Sequence, residues 1–269
     1  MNPLKIKNRL TKKIVNKLPK TAVFSPSDYN IPVKYTGKNV KIAVIDSGCP
    51  VHKDIKNING KVNFCNNNKV LYDRNGHSTI VSGIIAAKSK NGLTGLAPSS
   101  KIYSEKVVDY KGVCSFSSLI AAILWAVVKK VDIIMIALGT QYDYEMLHDA
   151  IKKAYNSNIC IIASAGNNVK EKDNEIDYPA RYKEVFSVGG LTKNEKQNKI
   201  IREKVNFTVP NKEIYSTYLN DKYVQARGSS ISTAITTALA ALLIEKRRES
   251  FMVIKSPEAV YSDILTIST

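Results

Sequence analysis

The sequence predicts an α/β fold: one mostly parallel central sheet with helices on both faces, a three-layer arrangement. Three observations carry this. Short runs of branched apolar residues alternate with segments of helical periodicity. Polar residues stand directly at the carboxyl ends of two such runs, Asp46 Ser47 Gly48 after the first and Ser164 Ala165 Gly166 after a later one, which is where open parallel sheets place ligands and catalytic groups. The chain of 269 residues is also long enough to bury a large core as one domain.

The elements follow in order. Residues 1–36 read as a basic amino-terminal extension, punctuated by Pro19, Pro26 and Pro32 and leading to a domain over 37–269. A mobile arm, a strap over the domain and a removable segment all fit that composition. Val40 to Ile45 is a buried strand. Asn75 to Ala87 opens with polar residues and continues with small and apolar ones, as a packed helix does. Lys101 to Val108 is the next strand, Leu119 to Val128 a helix holding the single tryptophan, Trp125, and Asp132 to Leu138 another strand. Tyr144 to Tyr155 has helical periodicity. Asn158 to Ala163 and Val185 to Gly189 complete the strands, and Ile235 to Ile244 is a helix too apolar to face water.

Composition excludes several classes. The net charge is +17, but the lysines are spread along the chain with no interleaved aromatic residues of the kind that stack bases, so no specific nucleic-acid partner is predicted. The longest apolar runs are broken by Lys129 and Lys130 or end at Glu245, short of a membrane span. The first 20 residues carry seven Lys or Arg, with Leu4, Ile6, Leu10, Ile14 and Val15 scattered among them. No secretory leader is read there, and a cytoplasmic location is expected. Cys49, Cys65, Cys114 and Cys160 are too widely spaced for a zinc motif and are expected as free thiols.

Three positions stand out for chemistry. Ser230 follows the turn Arg227 Gly228 Ser229 and precedes the apolar helix, so its hydroxyl sits at the positive end of a buried helix dipole. His77 opens the earlier helix, and Asp46 ends the first strand. Each residue alone reads equally well as a helix or turn cap. Together they occur in the order Asp, His, Ser, separated by 31 and 153 residues.

The segments around them resemble those of the subtilisin-like serine proteases. Val44 Ile45 Asp46 Ser47 Gly48 resembles that family's aspartate motif, Gly76 His77 Ser78 Thr79 Ile80 Val81 Ser82 Gly83 its histidine motif, and Gly228 Ser229 Ser230 Ile231 Ser232 Thr233 Ala234 its serine motif. Gly95 Leu96 Ala97 Pro98, Ala137 Leu138 Gly139, Ser164 Ala165 Gly166 Asn167 Asn168 and Tyr178 Pro179 extend the likeness over about residues 37 to 250. The resemblance implies a subtilisin-like fold and hydrolysis of a polypeptide substrate through an acyl-enzyme on Ser230. His77 would be the general base and Asp46 the group that orients it. Asn167 would donate to the oxyanion together with the Ser230 N–H.

By the same resemblance, Leu138 and Gly139 belong to an edge that pairs with the substrate backbone. Gly139 with Ser164, Ala165 and Gly166 would wall the pocket for the residue before the cut. Asp177, just ahead of Tyr178 Pro179, would form its floor and favour Arg or Lys. The chain departs from the family at Ser78, Ile80 and Ala234, none of which removes a proton-transfer group. Asp54 resembles an acid of a family calcium site, but residues 88–94 look shortened and carry Lys88 and Lys90, so no metal is predicted. The expected function is intracellular processing of a particular precursor, such as removal of a leader. The alternative is a weak or inactive relative that binds peptides without cutting them; the oligomeric state is left open.

Overall fold

The computed structural model describes residues 4–5, 11–15, 18, 32, 34–65, 70–109, 111–166, 176–191, 201–209, 214–250 and 256–267. Its centre is a seven-stranded sheet built from β3 (Lys41–Asp46), β4 (Ile58–Asn63), β5 (Lys101–Lys106), β7 (Ile133–Ile136), β8 (Cys160–Ser164), β9 (Phe186–Gly190) and β10 (Phe207–Val209). The spatial order is β10-β9-β8-β7-β3-β5-β4, and every neighbouring pair is parallel. All the strand ends that carry polar residues therefore open on one edge of the sheet.

The central strands β3, β7 and β8 have apolar interiors because both faces are covered. Ile42 and Val44 enter one core, while Ala43 and Ile45, with side chains on the opposite face, enter the other. The first core is closed by α1 (His77–Ala86), α4 (Ser229–Glu249) and α5 (Pro257–Leu265), the second by α2 (Phe116–Val128) and α3 (Glu145–Asn156). This is the predicted α/β three-layer architecture. In α4 every residue from Ser229 to Ile244 is buried, which explains a sequence apolar on all sides. Truncating Leu242 there to Ala would cost about 2–5 kcal/mol. Ser115 caps α2, its side chain accepting the Ser118 N–H at 3.0 Å, so the helix starts three residues before the expected Leu119.

Two small sheets lie outside the main one. A three-stranded sheet runs β11 (Ile214–Thr217), β12 (Tyr223–Arg227), β2 (Thr11–Val15). In a second, β1 (Leu4–Lys5) pairs antiparallel with β6 (Val113–Cys114). The amino-terminal segment thus contributes strands to two separate parts of the domain. Tyr35 is buried in the first core, and the N–H groups of Thr36 and Gly37 both donate to Glu245 at 2.7 Å. Cys49, Cys114 and Cys160 are buried and Cys65 half-buried, all as free thiols. No helix among the described residues is long and apolar enough to cross a membrane.

Candidate active site

Three elements from distant parts of the chain deliver Asp46, His77 and Ser230. Asp46 is the last residue of β3, His77 the first of α1 and Ser230 the second of α4. The turn into α4 is made by Gly228, whose φ of 145° suits a residue without a Cβ. Ser164, at the end of β8, donates from its hydroxyl to the Ser229 Oγ at 2.8 Å, which fixes the start of α4 against the sheet. From the other side, Ser216 and Thr217 of β11 donate to the carbonyls of Ile80 and Thr79 at 2.6 and 2.7 Å, holding the first turns of α1.

Asp46, His77 and Ser230 are 1%, 3% and 0% exposed. His77 Nδ1 lies 2.7 Å from Asp46 Oδ2, and the Ser47 N–H donates to Asp46 Oδ1 at 2.6 Å. A carboxylate on Nδ1 sets the proton on that nitrogen and leaves Nε2 as the basic atom. Nε2 is buried and has no hydrogen-bond partner among the described residues. Burial works to lower the pKa of His77; the charge of Asp46, its hydrogen bond and the charge of Asp73 outweigh it, against opposition from Lys12, and the result lies above the ordinary imidazole value. The imidazole is thereby a stronger base than a free one.

The remaining predicted positions gather beside β7 and β8. Leu138, Ser164, Ala165 and Asp177 are buried. A Cβ added to Gly139 would lie 2.7 Å from the Asp177 Cβ, and one added to Gly166 would lie 2.5 Å from Asp177 Oδ2, so the two glycines make room for this carboxylate. The Asp177 N–H donates to the Ala165 carbonyl at 3.1 Å, and Thr140 and Tyr178 exchange backbone bonds at 3.0 and 2.7 Å. Asn167 lies outside the described residues.

Sequence reasoning missed two partners of these groups. Gln141 donates from its side-chain amide to Asp177 Oδ1. Asp73 is a buried acceptor for donors around both Asp46 and His77, and its signal was an acid three residues ahead of a helix-starting glycine. Asp54 Oδ2 accepts both the Leu93 N–H at 2.9 Å and the Tyr223 hydroxyl at 2.7 Å. No group of three or more His, Cys, Asp or Glu side chains among the described residues is placed to hold a metal ion.

The profile of the Subtilase family matches residues 37–266. The chain is 38% identical over 216 residues to the Minor extracellular protease Epr of Bacillus subtilis (strain 168), covering 78% of this chain and 33% of that protein. It is 33% identical to Subtilisin DY of Bacillus licheniformis over 79% of each chain. To the Major intracellular serine protease of Bacillus subtilis (strain 168) it is 33% identical over 93% of this chain and 82% of that one. The 93% share of this chain is larger than residues 37–269 can supply, so the match runs into the basic amino-terminal segment. On the family profile and these identities together, the chain belongs to the subtilase family of serine endopeptidases.

Proposed function

We propose that Ser230 is the nucleophile, His77 the general base and Asp46 the orienting carboxylate of peptide-bond hydrolysis. The reading rests on the buried contact of 2.7 Å between Asp46 and His77 Nδ1, which turns the basic Nε2 to the far side of the ring. Ser230 Oγ attacks the scissile carbonyl while Nε2 takes its proton. Asp46 stabilises the imidazolium. The oxyanion is held by the Ser230 N–H and the Asn167 side-chain amide; collapse releases the amine with the proton from His77, and water then hydrolyses the acyl-enzyme along the reverse path.

The pocket for the residue before the cut takes Arg or Lys, because Asp177 places a carboxylate between Gly139 and Gly166. A location inside the cell and the processing of a defined precursor complete the proposal, supported by the match to a relative named for intracellular proteolysis. The test is turnover of a fluorogenic peptide library by the full chain. Hydrolysis after Lys or Arg, reduced on the order of 10⁴-fold or more in Ser230→Ala and His77→Ala, is the expected result. Peptides bound but uncut would replace the enzyme reading with that of a peptide-binding relative.

A further inference from the structure

Asp73 is 7% exposed and accepts five hydrogen bonds. Its Oδ1 receives the Ser47 hydroxyl and the N–H groups of Asn75 and Gly76, each at 2.9 Å. Its Oδ2 receives the Thr79 N–H at 2.9 Å and the Thr79 hydroxyl at 2.7 Å. These donors come from two places: Ser47 follows Asp46 directly, while Gly76 and Thr79 flank His77. Gly76, the cap of α1, has no side chain of its own to satisfy the helix N–H groups, and Asp73 does this from three residues upstream.

Ser47 closes the connection. Its Oγ accepts the Ser78 N–H at 3.0 Å, which leaves its single proton for Asp73, and its own N–H is spent on Asp46 Oδ1. One buried carboxylate therefore holds the loop after β3 and the first turn of α1 in a single register. A shift of either would move Asp46 against the imidazole.

We propose that Asp73 is a positioning residue of the reaction: it fixes the separation of Asp46 and His77 through Ser47, Gly76 and Thr79, and its negative charge stabilises the imidazolium formed when Ser230 is deprotonated. The proposal rests on the reading of Asp46, His77 and Ser230 as the catalytic groups. The charged groups that act on His77 are Asp46 from β3, Asp73 from the loop before α1 and Lys12 from β2. Asp73 is thus the second of two anions set against one cation.

Asp73→Asn keeps the size of the side chain, removes its charge and replaces one acceptor oxygen by a donor. The full-length variant is compared with wild type by NMR titration of His77, whose signals must be separated only from those of His52 and His148. That readout needs no turnover, so it distinguishes failure of this proposal from failure of the catalytic reading, which an inactive wild type would reveal. The expected result is a His77 titration displaced to lower pH, with kcat reduced on the order of 10²-fold and KM within about threefold of wild type. An unmoved titration overturns the proposal, as does an unchanged kcat in an active enzyme. Asp73→Glu retains the charge on a longer arm, and is expected to leave the titration near its wild-type position while lowering kcat. Should Asp73→Asn not fold, Ser47→Ala cuts the same connection at its other end; a fall in kcat of about tenfold is expected there, and wild-type kcat overturns the proposal.

Discussion

Lys12 stands opposite Ala226 in the β2–β12 ladder, and its charge opposes protonation of His77. The same ladder sets Thr11 against Arg227, at the entrance to the turn that carries Ser230. Lys12 also donates to the Tyr218 hydroxyl at 2.9 Å. At the other end of the segment, Leu4 pairs with Cys114. Residues 4–5 are tied to β6 and residues 11–15 to β12, while Val15 and Leu18 pack on a small cluster around Ile55, Leu93 and Tyr223.

Removal of residues 1–17 unpairs the strand that leads into the turn carrying the fully buried Ser230, and is therefore expected to open the approach to it. Labelling of the truncated chain by a fluorophosphonate should be faster by at least about tenfold, the factor for a site open one part in ten in the full chain. Equal rates would show that the segment does not restrict access.

The pocket prediction is sharper in substrate terms. Asp177→Asn removes the charge but little volume, and kcat/KM for substrates with Arg before the cut should fall on the order of 10²-fold while those with Leu change little. A variant that keeps its preference for Arg over Leu would remove Asp177 from the specificity account.

Glu105 gives a pH prediction. It lies fully buried in β5, and neither carboxylate oxygen has a partner among the described residues. Burial pushes its pKa well above the ordinary 4.5. In acid both folded and unfolded chains are protonated here. As pH rises past the ordinary carboxylate value only the unfolded chain ionises, so stability is lost with rising pH until the folded-state pKa is reached. Glu105→Val should stabilise the fold at neutral pH by about 1–3 kcal/mol and flatten this slope, as read by urea denaturation across pH 5–8. An unchanged slope would contradict the assignment.

Asp54 offers a fourth test. Its bond from Tyr223 is buried and ends on a carboxylate, so Tyr223→Phe should cost about 1.5–3 kcal/mol. Because these two donors already engage its Oδ2, added calcium or a chelator should leave the Tm of the wild-type chain unchanged. A Tm raised by calcium would place a cation where the structure has hydrogen bonds.

Much of the sheet and part of the site are legible in the amino-acid sequence. β3, β7 and β8 have interiors of Ile, Val, Ala and Met buried on both sides, and such runs read clearly because every residue obeys the same rule. Asp46 and His77 are legible because they stand at element ends, where a polar residue after an apolar run needs a reason. The β11–β12 hairpin was missed although Asn220 and Asp221, with φ of 57° and 56°, make the paired left-handed turn that Asn and Asp favour. β2 has no usable signal: Thr11 Lys12 Lys13 Ile14 Val15 lacks alternation, and an edge strand paired only on one side needs little. Asp73 stands three residues ahead of the cap of α1, but its partners are hidden for another reason. Its five donors come from Ser47, Asn75, Gly76 and Thr79, and a backbone N–H leaves no trace in composition.

The most direct test of the central claim is fluorophosphonate labelling of the chain lacking residues 1–17, with the modified residue located by mass spectrometry. The account predicts one adduct, on Ser230, absent in His77→Ala and weakened in Asp46→Asn. An adduct on another serine, or labelling that survives His77→Ala undiminished, would contradict it.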